Sequence, residues 1–227
     1  MNNARTIIIV EVALAIALAA VLNLLHLRLP INFMGGSISL CMLPIAIVAL
    51  RRGPLSGMAA GAIFGVINLL VEPFILVPQQ VILDYPLPYL LFGLGVGLYS
   101  PWYNRLTRRS AALGTGRYLM NGSFVIILSL VTGGLMRLAS HTLSGVLFFA
   151  EYAGDFFATN PTLLLAGPVD AGLNLWIYSL GYNLTYLVPS LIGCAIFLLL
   201  IAPVLAMAVP VRKQHVKKSP PSKEANN

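Results

Sequence analysis

Six apolar segments constrain the fold of this chain more than any other feature of its sequence. A membrane-spanning helix needs about 20 mostly apolar residues. By this criterion we predict spans at residues 6–26, 37–50, 54–72, 81–100, 118–149 and 174–209. Only 9% of the residues are charged, whereas soluble domains average about 25%. The sequence therefore predicts an all-α, polytopic membrane protein with six transmembrane helices.

The six spans form one predicted membrane domain, residues 1–209, followed by a tail at residues 210–227. The second span is short, and Gly35, Gly36 and Pro44 are expected to interrupt or tilt it. The tail is polar and basic and contains proline, a composition typical of disordered segments.

Basic residues mark the ends of the second, fourth and sixth predicted spans. They are Arg51, Arg52, Arg105, Arg108, Arg109, Arg117, Arg212, Lys213, Lys217 and Lys218. The opposite connections contain one clear basic residue, Arg28, and four acidic ones: Glu72, Glu151, Asp155 and Asp170. Because cytoplasmic loops of membrane proteins are enriched in Lys and Arg, both termini are predicted to be cytoplasmic. The net charge of +7 is thereby attributed to membrane topology and not to nucleic-acid binding.

Small residues predict where helices pack closely. Gly53, Gly57, Gly61 and Gly65 recur every four residues, which favours close internal packing of the third span. The first span carries small residues of its own, Ala13 and Ala17 with Ala20 nearby. They are compatible either with internal packing or with a surface that docks another membrane subunit.

Asp84 is an unusual residue for its position, a carboxylate beside Tyr85 at the edge of an apolar segment. A charged group costs about 2.5–3.5 kcal/mol at a helix centre, so it is expected to meet a cation or a donor. The predicted topology places His141, Tyr178 and Asn183 near the same outer depth. The sequence therefore predicts a pocket that opens to the outside.

Each of these residues has a simpler interpretation. Asp84 could cap the fourth helix. His141 lies four residues after Arg137 and could be a neutral core histidine. Asn183 could bond a neighbouring helix. Four aromatic residues could form an interfacial belt: Trp176, Tyr178, Tyr182 and Tyr186.

The spacing within the sixth span sets a further condition. Tyr178 and Asn183 are five residues apart, about 140° around a regular helix. Both can line one pocket only if the pocket is wide or the start of the helix is irregular.

Common enzyme signatures are not found in the sequence. It has no phosphate-binding G-x-x-x-x-G-K-[ST] loop, no H-E-x-x-H zinc motif and no nucleophile elbow. Its three histidines are far apart, which argues against a metal site. Cys41 and Cys194 lie in apolar segments and are predicted to be core residues. We therefore expect neither an enzyme nor a cofactor.

Five short segments together resemble a known family. They are Gly-Gly-Ser-Ile-Ser-Leu at 35–40, Arg-Arg-Gly at 51–53, Leu-Asp-Tyr-Pro at 83–86, His-Thr-Leu-Ser-Gly-Val-Leu-Phe-Phe at 141–149 and Trp-Ile-Tyr-Ser-Leu-Gly-Tyr-Asn at 176–183. Over about residues 5–208 the chain resembles the thiamine-specific substrate-binding subunit (S component) of energy-coupling-factor vitamin transporters. The resemblance implies a six-helix protein of the bacterial plasma membrane that binds thiamine from outside. It also implies two kinds of partner, a transmembrane coupling subunit and two cytoplasmic ATPases.

The resemblance assigns roles to individual residues. The implied thiamine contacts are Asp84, Tyr85, His141, Phe149, Tyr178 and Asn183. The implied lid over the pocket includes Gly35, Gly36 and Ser37. The implied docking residues for the coupling subunit are Ala13 and Ala17.

Thiamine suits side chains of these types. Its thiazolium ring is a fixed cation, which an aromatic face can attract by up to about 2 kcal/mol when desolvated. A carboxylate can either offset that cation or accept a hydrogen bond from the aminopyrimidine. Asn and Tyr can satisfy the ring nitrogens and the hydroxyl.

Three alternatives remain open at this point. One is an S component for another vitamin, although an anionic vitamin would need a cation in the pocket and only Arg137 is available. The second is an integral-membrane enzyme that uses Asp84 and His141 as acid and base. The third is a stand-alone secondary carrier, but such carriers often have internal repeats and no convincing repeat is found.

Overall fold

The computed structural model describes residues 3–25, 36–113 and 115–207. Within these residues the chain forms nine α-helices: α1 (Asn3–Leu24), α2 (Met42–Arg52), α3 (Pro54–Val71), α4 (Gln80–Asp84), α5 (Pro86–Gly97), α6 (Ser100–Leu113), α7 (Thr115–Phe148), α8 (Ala153–Thr159) and α9 (Gly172–Met207). Short 3-10 turns at Ala150–Tyr152 and Pro161–Leu163 flank α8. Gly35 of the predicted lid and the predicted tail 210–227 lie outside the described residues.

The predicted spans correspond to helices, with two differences in detail. Helices α1, α3, α7 and α9 are each long and apolar enough to cross a membrane, and α4–α5 with α6 would be a fifth, bent span. Helix α2 has 11 residues, about half of what a span needs. The all-α, multi-pass prediction is confirmed, while the count of six and the cytoplasmic termini stay predictions.

The predicted fourth span is broken at Tyr85. Pro86 and Pro88 lie in the first turn of α5, where proline is tolerated because the first amide groups of a helix lack partners anyway. Proline also disfavours helical geometry in the residue before it, and Tyr85 has φ −116° and ψ −78°. Asp84 thus ends α4, and no side-chain cap is found at the start of α5. The interpretation of Asp84 as a helix cap is therefore wrong.

Helices α3 and α5 pack backbone against backbone. A Cβ atom placed on Gly57, Gly61 or Gly65 would lie only 2.0 to 2.4 Å from a carbonyl oxygen of the 85–93 segment. No side chain fits at these three positions, so the predicted internal packing is confirmed for them. Gly53 has a different role: its φ of +94° allows the tight turn between α2 and α3.

The basic end of the second predicted span meets α1 and the segment that follows the fourth predicted span. Arg52 at the end of α2 makes a two-pronged ion pair with Glu11 of α1, with both N–O distances 2.6 Å. Asn104 of α6 donates to the backbone carbonyls of Leu50 and Arg51 at 3.3 and 3.2 Å. The C-terminal ends of α3 and α7 and the start of α9 lie at the opposite end, around a large cavity.

Candidate functional site

The cavity has a volume of about 650 Å³ and is bordered by helices α1, α3, α4, α5, α7 and α9. All six residues predicted to contact a ligand line it: Asp84, Tyr85, His141, Phe149, Tyr178 and Asn183. Gly36 and Ser37 of the predicted lid line it as well. Residues from four separate stretches of the chain, 36–37, 84–85, 141–149 and 178–183, are therefore brought together.

A chain of polar contacts connects Asp84 to the buried side of α7. Arg137 donates from Nε to His141 Nε2 at 3.3 Å, and His141 Nδ1 lies 3.4 Å from Asp84 Oδ1. Because a guanidinium can only donate, Nε2 must accept and the imidazole proton lies on Nδ1, facing the carboxylate. His141 is thus a satisfied histidine and a cavity residue at once.

Arg137 lines the cavity and is held in place by Tyr89. The guanidinium carbon lies 4.2 Å from the centre of the Tyr89 ring, and Nη2 donates to the Tyr89 hydroxyl at 3.1 Å. The stacked contact is of the cation–π type. Arg137 is therefore only 7% exposed, and its guanidinium is bound by Tyr89 and His141.

Helix α9 forms one wall of the cavity with its residues between Tyr178 and Ser190. Tyr178, Tyr182 and Tyr186 are all at least 91% buried, whereas Trp176 is 48% exposed. The interfacial-belt interpretation thus fits Trp176 and not the three tyrosines. Asn183 donates to the Ser179 carbonyl at 2.8 Å and accepts from the Tyr186 hydroxyl. The cavity is wide enough for both Tyr178 and Asn183 to line it, so their five-residue spacing is compatible with one pocket.

The segment before α2 closes over α9. Gly36 has φ +84°, and a Cβ atom there would lie 2.6 Å from the ring of Tyr186. Glycine is thus required both for the backbone conformation and for the contact. Ser39 donates from its amide to the hydroxyl of Ser190 at 3.1 Å, which ties this segment to α9.

Phe149, and not Phe148, lines the cavity. Helix α7 ends at Phe148, and the Phe149 amide still donates to Gly145 at 3.1 Å. The chain then turns into the Ala150–Tyr152 segment. Phe149 is 8% exposed.

Tyr85 lines the cavity, but its hydroxyl is used by the protein. It accepts a hydrogen bond from the Phe74 amide at 2.6 Å and donates to the Glu72 carbonyl at 3.0 Å. Phe74 and Glu72 line the cavity too. Neither Phe74 nor Gln80 was predicted, although Gln80, like Asp84, is a polar residue beside an apolar span.

The predicted docking residues are on the far side of α1 from the core. Ala13 and Ala17 are exposed, as are the neighbouring Leu14 at 65% and Leu18 at 50%. Ile16 and Ala19 point inward and are buried. Internal packing against the described residues therefore does not account for Ala13 and Ala17.

Known proteins resemble this chain over most of its length. The model of a family described as "Thiamine transporter protein" matches residues 9–163. The thiamine transporter ThiT of Bacillus subtilis is 30% identical over 207 residues, covering 88% of this chain and 93% of the relative. ThiT of Lacticaseibacillus paracasei is 26% identical over 186 residues, or 80% of each chain.

A solved structure agrees with the sequence comparisons. The structure of ThiT from Listeria monocytogenes covers 89% of this chain and 98% of its own, with a TM-score of 0.70 and 26% identity. A transporter family excludes the alternative of an enzyme, and bacterial relatives with apolar helices place the protein in the bacterial plasma membrane. The chain belongs to the thiamine transporter family.

Proposed function

We propose that this chain is the S component of an energy-coupling-factor transporter and binds thiamine in the cavity at its outer end. The observation that carries the proposal is the juxtaposition of a carboxylate, Asp84, with aromatic residues in a cavity of about 650 Å³. A fixed organic cation is attracted by both features, by the charge and by the faces of the rings.

Asp84 is the proposed counter-charge of the ligand. His141 donates to one of its oxygens, which fixes the carboxylate and leaves further acceptor positions for a cation or an amine. A positively charged ligand also compensates a carboxylate that is costly within a membrane protein. An anionic vitamin is less well supported, because Arg137 is engaged by Tyr89 and His141.

Phe149, Tyr178 and Asn183 are the proposed ring contacts. Phe149 supplies an aromatic face, and the two polar side chains supply hydrogen bonds. The amide of Asn183 contacts Ser179 and Tyr186, which leaves one N–H and one lone pair of its four hydrogen-bonding positions for a ligand. Gly36 and Ser37, with Gly35, form the proposed lid.

The exposed face of α1 is the proposed docking surface for the coupling subunit. Ala13 and Ala17 are one turn apart, and small residues allow a neighbouring helix to approach closely within a membrane. The coupling subunit and two cytoplasmic ATPases would supply the energy for uptake, while this chain supplies the selectivity.

The proposal is tested with the purified protein in detergent. Native mass spectrometry should detect thiamine that co-purifies, and titration calorimetry should give one thiamine per chain. Absence of heat and of any bound mass, in protein with an intact thermal unfolding transition, would contradict thiamine binding. Uptake that needs no co-expressed coupling subunit or ATPases would contradict the S-component assignment and favour a stand-alone carrier.

A further inference from the structure

The loop between α3 and α4, residues 72–79, is held by two buried side chains. Gln80 is 0% exposed. Its Oε1 accepts from the amides of Leu76 and Val77 at 2.8 and 3.1 Å, and its Nε2 donates to the Phe74 carbonyl at 2.8 Å. Tyr85 is 6% exposed and accepts from the Phe74 amide at 2.6 Å. We call Gln80 and Tyr85 the loop clamp.

Phe74 is the residue on which the loop clamp converges. Its amide is bound by Tyr85 and its carbonyl by Gln80. Both backbone groups of a single loop residue are thus fixed by side chains, one from the start of α4 and one from the break between α4 and α5. A loop residue that served only as a connection would satisfy these groups with water, because loops run over protein surfaces.

The clamp presents the Phe74 ring to the cavity beside Phe149. The two ring centroids lie 6.2 Å apart, with the planes within 14° of parallel, and both residues line the cavity. Two carbon surfaces in contact are separated by about 3.5–4.0 Å, so a flat ring between them would need roughly 7 Å. As they stand, the rings form one continuous aromatic wall.

We propose that Phe74 is a further ligand contact, which binds the flat rings of thiamine together with Phe149, and that Gln80 and Tyr85 are positioning residues acting through Phe74. This inference rests on the proposed function, since it takes thiamine as the occupant of the cavity. It assigns to the Tyr85 hydroxyl the task of holding the loop, while the role implied by the family resemblance was ligand contact.

The clamp lowers the cost of binding because the loop is ordered before the ligand arrives. Ordering a loop on association costs free energy, and a loop whose backbone is already fixed avoids this cost. The same reasoning predicts that loss of the Gln80 side chain, which does not line the cavity, weakens binding.

The aromatic role of Phe74 is tested by two substitutions and calorimetry with thiamine. Phe74→Leu keeps an apolar side chain and removes the ring, and should weaken binding by roughly 5- to 20-fold, the range of one aromatic or cation–π contact. Phe74→Tyr keeps the ring and should stay within about 2-fold of the wild type by the same argument. Phe148→Leu is the matched control, a half-buried phenylalanine next to Phe149 that does not line the cavity.

A double-mutant cycle tests the clamp. Gln80→Met removes three hydrogen bonds and should weaken binding about 5-fold in the wild-type background, but less than 2-fold when Phe74→Leu is already present, because coupled residues are not additive. Should Gln80→Met fail to fold, Tyr85→Phe, which removes one hydroxyl, takes its place in the cycle. Additive losses in the cycle would overturn the positioning role.

The outcomes separate this inference from the proposed function. If the wild type does not bind thiamine, the proposed function fails. If the wild type binds and Phe74→Leu binds equally well, only the contact of Phe74 is overturned. Equal losses for Phe74→Leu and Phe74→Tyr would overturn the aromatic role.

Discussion

The cavity and the outer face of α1 differ in the exposure and the bonding of their side chains. In the cavity, polar side chains are buried and tied to one another across helices, as in the series Arg137, His141 and Asp84. On α1, apolar side chains such as Leu14 and Leu18 are half or more exposed and surround Ala13 and Ala17. The first region is organised by contacts within the chain, whereas the second has almost none with the part of the chain that the structure describes.

This difference separates two functions that one substitution could otherwise confuse. A change in the cavity should alter affinity, because each side chain there holds a neighbour in place. A change on the α1 face should leave affinity alone and alter only what happens between this chain and another. The following predictions test that separation, from the largest expected effect to the smallest.

The largest effect is expected from replacing both Ala13 and Ala17 with Trp. Two bulky side chains one turn apart would block close approach of another helix, so thiamine uptake by cells should cease. Binding of thiamine to the isolated protein should be unchanged, since neither alanine lines the cavity. Loss of binding together with uptake would show that the face packs within the chain, and full uptake would show that it docks nothing.

Asp84→Asn should weaken thiamine binding by about 2–4 kcal/mol, the scale for losing one partner of a buried charged pair. The substitution keeps the shape of the side chain and removes its charge. Titration calorimetry measures the effect, and the thermal unfolding midpoint serves as the control for folding. An unchanged dissociation constant in folded protein would remove Asp84 from the site.

Phe149→Ala and Asn183→Ala should each weaken binding by about 1–2 kcal/mol, the range of an aromatic contact or a buried hydrogen bond. Phe149→Trp should be tolerated, because it keeps an aromatic face. Phe148→Ala is the control on the neighbouring residue. If Phe148→Ala abolished binding while Phe149→Ala had no effect, the direction of the two rings would be opposite to that in the structure.

The smallest effect is expected for Trp176→Ala. Trp176 precedes Tyr178 by two residues but is 48% exposed on the outside of α9. Surface substitutions usually change stability by less than about 0.5 kcal/mol, and affinity for thiamine should change no more than that. A larger loss of affinity would mean that the cavity wall of α9 depends on contacts at its outer surface.

Features with a repeating pattern were predictable from the sequence. Apolar length identified the long helices, and four-residue spacing identified the glycine face of α3. Polar residues in apolar spans, Asp84 and His141 above all, identified the cavity. Each of these signals depends on the cost of placing a group in a membrane or on a helical repeat, and both can be read along one chain.

Features that depend on a break in the pattern were not predictable. The helical face through His141 and Gly145 points as directly to Phe148 as to Phe149. The periodicity therefore does not choose between the two rings, and only the family resemblance selected Phe149, which lines the cavity. The contacts of Gln80 with the backbone of the α3–α4 loop follow no repeat either, since they depend on the path of the loop.

The seam between α3 and α5 has a mechanical consequence. At Gly57, Gly61 and Gly65 the two backbones touch without intervening side chains, so the seam has no rotamers that could absorb a sliding motion. We therefore expect α3 and α5 to move as one rigid unit between the turn at Gly53 and the break at Tyr85. A displacement of the turn at Gly53 is therefore expected to shift the break at Tyr85, and Asp84 next to it.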